Sequence, residues 1–125
     1  MISFIIIGRN VEHTIERCLN GVFNFIEVEK IDRSEVIYVD SDSYDRSLEL
    51  ASKTQARVLH LKGKLNAAIG RNVGAEHAKG DILFFIDGDM ELLPGFLSDI
   101  VDESGKMKYP FCTGYCHTML LHGPF

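Results

Sequence analysis

Asp81-Ile82-Leu83-Phe84-Phe85-Ile86-Asp87-Gly88-Asp89 is the stretch on which the fold turns. Its apolar centre is rich in β-branched and aromatic side chains, too short for a helix and without polar alternation. That pattern predicts a strand buried on both faces, as in a parallel sheet covered by helices. The strand then runs directly into two aspartates separated only by glycine. Working outward, runs of the same kind stand at residues 2–7, 36–39 and 58–61, with helix-period segments between them. Val11, Ile15, Cys18, Leu19 and Val22 form one apolar stripe, with Asn10 as candidate cap and Gly21 near the expected end. Shorter helices are expected over residues 46–54, entered through Ser43 and Asp45 as candidate caps, and over 65–78. In the latter, Gly70 and Gly74 each lower helix propensity by about 1 kcal/mol, which suggests close approach to a sheet or a ligand. Pro94 is expected to open a fourth helix through residue 101, and residues 111–119 to form a last strand.

The order β-α-β-α-β-α-β-α-β, with short right-handed crossovers, implies an α/β fold with an open, doubly wound, mostly parallel sheet. Ligands of such sheets bind beyond the carboxyl ends of the strands, where strand order reverses. The chain of 125 residues fits one domain, residues 1–125. Its net charge of −5, with basic residues scattered, excludes binding by neutralisation of a nucleic-acid backbone. No segment reaches the roughly 18 apolar residues of a membrane span. Three cysteines, Cys18, Cys112 and Cys116, stand in a chain large enough to fold without disulfides. They read as reduced thiols and a cytoplasmic location, any membrane association belonging to parts outside this chain.

Three strand ends carry polar residues where a ligand is expected: Gly8-Arg9-Asn10, Asp40-Ser41-Asp42 and Asp87-Gly88-Asp89. Two carboxylates flanking a glycine suit a hard divalent cation, since Mg²⁺ takes one or two protein carboxylates together with substrate phosphates and water. The glycine would let a diphosphate approach the backbone. Each motif also has a plainer reading. Asp-Gly is a common turn dipeptide, Asp40 and Asp42 are capping and turn residues in a Ser- and Asp-rich loop, and Asn10 is a helix cap. Arg71 can meet a phosphate or pair with Glu76 on its own helix.

Taken in order, Gly8-Arg9-Asn10, Val39-Asp40-Ser41-Asp42-Ser43-Tyr44-Asp45, Arg71-Asn72-Val73-Gly74 and Asp87-Gly88-Asp89 resemble the N-terminal half of the family 2 glycosyltransferases. The likeness runs from residue 2 to about residue 101. It implies a GT-A fold, the Rossmann-like fold of nucleotide-diphospho-sugar transferases, and an inverting transfer of a sugar to a saccharide or lipid-linked acceptor. The positions matching Gly8, Arg9, Asn10, Asp40 and Asp42 would hold base and ribose. Arg71, Asp87 and Gly88 would lie against the donor, and Asp89, with Asp87, would carry Mn²⁺ or Mg²⁺ on the diphosphate of a nucleoside diphosphate sugar, UDP as first choice. The chain has Gly8-Arg9-Asn10 where the family more often has Thr-x-Asn, and Asp40-Ser41-Asp42-Ser43 in place of Asp-Asp-Gly-Ser. The family's catalytic base lies well downstream of the Asp-x-Asp. Glu91, Asp99, Asp102 and Glu103 do not match its position, so the base stays unassigned, and a donor-binding half without its acceptor-binding part is expected.

Two other readings fit parts of the sequence. A haloacid-dehalogenase-type phosphatase also has a strand-ending Asp-x-Asp, but wants Thr or Val where this chain has Glu91 and places the motif on its first strand. A non-catalytic nucleotide-sugar binding module stays open. Cys112, Cys116 and His117 were considered for zinc, but residues four apart on a strand lie about 13 Å apart, too far to share an ion. His13, His60, His77 and His122 read as isolated surface or core histidines.

Overall fold

A computed structural model describes residues 1–114, which fall into two units, Met1–Gly95 and the residues from Phe96 onward. The first unit holds β1 (Ile2–Gly8), α1 (Ile15–Val28), β2 (Ser34–Ser41), α2 (Ser47–Ser52), β3 (Arg57–Leu61), α3 (Ala67–His77) and β4 (Ile82–Asp87). The second holds the single turn α4 (Leu97–Ile100) and an antiparallel bridge between Val101 and Met107.

The four strands form one parallel sheet in the order β3-β2-β1-β4, as the apolar runs predict. β1 is the axis of the structure because both its faces are covered. Phe4 meets Phe25 of α1 edge-on at 6.0 Å and stacks obliquely on Phe84 of β4 at 5.4 Å. On the opposite face Ile5 and Ile7 pack with Ile37 and Val39 beneath α3. A strand alternates its side chains between faces, so a run buried on both sides is apolar except where a polar group is satisfied, as Ser3 is by Glu35 and Gly80.

The two glycines of α3 allow the helix to approach the sheet. A Cβ on Gly74 would stand 2.4 Å from Ile5 Cγ2 and 3.3 Å from Val39 Cγ2, and one on Gly70 would stand 3.4 Å from Ile7 Cγ2. α3 covers β1 and β2 but not β4, whose Leu83 and Phe85 are 40% and 42% exposed on that face. Burial on both faces is expected of residues 82–86 and 58–61; in β4 only Ile86 is buried, with Ile82 and Phe84 partly covered, and in β3 no residue is fully buried, because both are edge strands among the described residues.

Other expectations are corrected at the helix ends. Asn10 does not cap α1: its φ of 52° is left-handed, whereas an N-cap needs extended backbone, and α1 starts five residues later. Nor does α1 stop at Gly21. It continues to Val28 because Phe25 is buried against Phe4 and Phe84. There Lys30, at φ 53°, takes the left-handed place usually given to glycine, with Lys30 N–H donating to Glu27 O and Ile31 N–H to Ile26 O, a Schellman closure.

α3 starts at Ala67 under a cap from Asn66, whose Oδ1 accepts from Ile69 N–H at 2.9 Å. Pro94 does not open the fourth helix, since Gly95 at φ 117° is incompatible with helix and α4 is confined to Leu97–Ile100. Residues 111–114 have no regular structure, and the rest of the expected last strand, with Cys116, His117 and His122, lies outside the described residues. Among the described residues no helix is long and apolar enough to cross a membrane.

Candidate functional site

Parallel register decides which loops meet. Gly8 lies opposite Asp40 on β2, and Ile7 lies opposite both Val39 on β2 and Asp87 on β4. The three polar strand ends therefore stand side by side at one edge of the sheet. Strand order reverses between β1 and β4, so the edge they share is the switch point.

The loops after β1 and β2 are fastened to each other. Asn10 N–H donates to Ser43 Oγ at 2.9 Å, and Tyr44 N–H donates to Asn10 Oδ1 at 3.0 Å. Beside them Val11 N–H donates to Ser47 Oγ at 2.7 Å and Glu12 N–H to Asp45 Oδ2 at 3.2 Å. Asp45 also accepts from the Ser47 backbone and hydroxyl, but it stands one residue before the N-cap of α2, which is Arg46 and carries no side-chain cap bond. Burial acts to raise the Asp45 pKa, but the hydrogen bonds from Ser47 and Glu12 outweigh it and hold the group below the usual aspartate value.

Asp40 is fully buried, and its carboxylate accepts from Tyr38 Oη at 2.9 Å, Ser43 Oγ at 2.7 Å and Ser43 N–H at 2.9 Å. Burial first, and then the Asp40 charge, raises the Tyr38 pKa well above the ordinary phenol value, so the hydroxyl stays a donor. Asp40 is thus the internal anchor of the β2 loop. Asp42, left-handed at φ 55°, is half-exposed and accepts from Gly63 N–H at 3.3 Å.

His60 was not isolated after all. The β2–β3 register puts it opposite Asp40, with Nε2 3.9 Å from Asp40 Oδ2 and 3.7 Å from Asp42 Oδ1.

On the β4 side, Arg71 reaches from α3 to Asp87, with Nη2 3.2 Å from Oδ1, and not to Glu76. Gly88 is buried, and a Cβ there would lie 3.1 Å from Ile7 O and 3.3 Å from Val11 Cγ2. The glycine is required by packing against the chain itself; Gly88 N–H donates to Ile7 O at 2.7 Å and Thr14 Oγ1 donates to Gly88 O at 3.0 Å. Gly8 is similar: a Cβ would stand 2.8 Å from Val11 Cγ2 and 3.1 Å from Tyr38 Oη. On the side where a Cβ would stand, both glycines meet the chain itself.

Arg9 and Asp89 are exposed. The Asp89 carboxylate makes no hydrogen bond or ion pair among the described residues, while Asp87 keeps one oxygen off its arginine. Behind this pair lies the buried Cys18 thiol, pushed up to about 12 by burial first and then by Asp89, Asp87 and Glu91. Among the described residues no cluster of three or more His, Cys, Asp or Glu side chains could enclose a metal. A donor set of one free and one half-engaged carboxylate fits Mg²⁺ or Mn²⁺ that completes its shell with phosphate oxygens and water.

Sequence reasoning missed Tyr38 and Ser47, and gave Ser43 only a capping role and His60 no role in the site. Tyr38 and Asp40 were within reach, because residues two apart on a strand share a face. His60 depends on the register of a separate strand.

The parallel sheet with its acidic and glycine-bearing loops at the switch point defines the class, an α/β domain of the GT-A type. The chain belongs to Glycosyl transferase family 2, whose sequence profile matches residues 3–116. It is 34% identical over 97 residues to the 4,4'-diaponeurosporenoate glycosyltransferase of Staphylococcus haemolyticus, covering 73% of this chain and 24% of that protein. Among solved structures it resembles S. aureus TarS 1–349 in complex with UDP, at 28% identity and TM-score 0.60, covering 78% of this chain and 30% of that one. It also resembles glucosyl-3-phosphoglycerate synthase from Mycobacterium tuberculosis in complex with Mn²⁺, UDP and phosphoglyceric acid, at 26% identity and TM-score 0.57, covering 81% and 37%. The chain spans less than a third of the length of the curated relatives it matches.

Proposed function

We propose that this chain binds a nucleoside diphosphate sugar, UDP-linked, with Mn²⁺ or Mg²⁺, as the donor-binding part of an inverting sugar transferase that acts on a saccharide or lipid-linked acceptor. The observation that carries the reading is the Asp87-Gly88-Asp89 corner. It combines an unengaged carboxylate at Asp89 with an arginine-held carboxylate at Asp87, beside the Gly8–Asn10 loop on the neighbouring strand. The UDP complex of TarS and the Mn²⁺–UDP complex of the mycobacterial synthase support the choice of ligand.

Each group has a chemical task in this scheme. Asp89 supplies the oxygen ligand for the cation and Asp87 accepts from donor hydroxyls, its orientation fixed by Arg71. Arg71 is half-exposed, so its remaining N–H donors are free to meet a phosphate oxygen. The cation, when bound, neutralises the charge that grows on the diphosphate as the sugar–phosphate bond breaks. Asp40 contributes indirectly, by holding Ser43 and so the loop that carries Tyr44 and meets Asn10.

Calorimetric titration with UDP, GDP and dTDP sugars, with Mn²⁺ and with chelator, tests the reading. Binding of one nucleotide, strengthened by metal, is expected, and Asp89→Asn removes the metal dependence. Absence of heat for every nucleotide refutes it.

A further inference from the structure

Tyr44 is 85% exposed, yet its backbone and both neighbouring residues are held by hydrogen bonds. Its N–H donates to Asn10 Oδ1 at 3.0 Å, and Ser43 before it is bonded through both N–H and Oγ to the buried Asp40. Asp45 after it accepts from Ser47 and Glu12. A single exposed aromatic is ordinary on a protein surface. Here the ring stands on a stem braced from both sides, at the carboxyl edge of the sheet, joined to the β1 loop by a hydrogen bond through Asn10. That loop, Gly8-Arg9-Asn10, has no aromatic residue of its own.

An aromatic ring on a fixed backbone has few torsions left to freeze when a flat ligand settles on it, which keeps the entropic loss of binding small. Nucleobases are such ligands, because every base has a π face and stacking needs no particular hydrogen-bond pattern. On the donor reading, ribose and diphosphate lie toward β4, at Asp87 and Asp89, and Tyr44 lies on the β2 side of the same edge. We infer that the Tyr44 ring is the stacking face for the base of the donor nucleotide. The inference rests on the donor reading above and adds a base-contacting residue to it. Stacking alone does not choose between uracil, guanine and thymine, so Tyr44 contributes affinity for the nucleoside rather than base identity.

The experiment compares UDP with inorganic pyrophosphate, both with Mn²⁺, by calorimetry on the full 125-residue chain as wild type, Tyr44→Ala and Tyr44→Phe. Exposure of Tyr44 means that both variants keep the fold, which far-ultraviolet circular dichroism verifies. Tyr44→Ala is expected to weaken UDP binding by about fivefold to a hundredfold, the range of one base–aromatic stack, while Tyr44→Phe stays within about twofold of wild type. Pyrophosphate affinity is expected to stay the same in all three proteins. If wild type binds UDP and Tyr44→Ala binds it equally well, the stacking assignment is overturned and the donor reading stands. Equal loss of UDP and pyrophosphate in Tyr44→Ala also overturns it, since the ring would then matter through loop shape. If wild type binds pyrophosphate but no nucleotide, the donor reading itself falls and the stacking assignment with it.

Discussion

Replacing Asp40 by alanine is expected to damage the fold before it damages any binding. The carboxylate is fully buried and receives three hydrogen bonds, from Tyr38 Oη, Ser43 Oγ and Ser43 N–H. Without it the Tyr38 hydroxyl, on a residue that is itself buried, loses its acceptor, at about 1–3 kcal/mol. The two Ser43 donors are nearer to solvent and recover part of their bonding from water. Hydrogen bonds to a charged acceptor contribute about 1.5–3 kcal/mol each, so with that recovery a net loss of about 3 kcal/mol is expected. Against a typical total of about 5–15 kcal/mol this is a large share.

Urea unfolding followed by circular dichroism measures it. The midpoint should fall with unchanged slope for Asp40→Ala, while Asp89→Ala, at an exposed and unengaged carboxylate, should stay within about 0.5 kcal/mol of wild type. Adding Tyr38→Phe to Asp40→Ala removes the orphaned hydroxyl and should restore about 1 kcal/mol. Equal midpoints for Asp40→Ala and wild type would refute the reasoning, because the carboxylate would then be exchanging freely with water and anchoring nothing.

Gly74→Ala tests the contact of α3 with the sheet. Its Cβ would meet Ile5 Cγ2 at 2.4 Å, so overpacking of about 1–3 kcal/mol should outweigh the roughly 1 kcal/mol gained in helix propensity, and a raised thermal midpoint would contradict the packing described. The acid limb of stability tests Asp45 and Glu35. Burial acts to raise both pKa values, but hydrogen bonds, from Ser47 and Glu12 in the first and from Lys79 and Ser3 in the second, leave both below their ordinary values. A depressed folded pKa gives stability that is complete above the unfolded value, near 4, and is lost as pH falls through the folded one. The urea midpoint should therefore be flat above about pH 5 and drop below about pH 4. Asp45→Asn should make that drop shallower, and an unchanged acid limb would count against the Ser47 and Glu12 bonds.

The fold was legible in the sequence to the extent that local pattern controls it. Continuous apolar runs can be buried only in a covered parallel sheet, and the paired glycines of α3 announce a helix pressed against it. Those two signals located β1 to β4 and the sheet class. Helix ends were less legible, because they depend on tertiary partners: Phe25 extends α1 past Gly21 by packing on Phe4 and Phe84. Asn10 is drawn away from the cap by Ser43 and Tyr44, which lie more than thirty residues along the chain.

For the site, the sequence by itself determined which strand ends carry carboxylates and that ligand chemistry belongs at that edge, since strand polarity follows from local pattern and right-handed crossovers, whereas the spatial order β3-β2-β1-β4 came with the tertiary structure. Only the tertiary structure decided what each carboxylate faces. Asp40 points inward to Tyr38 and Ser43, Asp87 is held by Arg71 from a separate helix, His60 comes to the acidic loop through strand register, and Asp89 is left open. The physical reason is that a side chain's chemical type is fixed residue by residue, whereas its burial and its partners depend on contacts between segments far apart in the chain. An aspartate at a strand end is written identically whether it anchors a loop or awaits a cation.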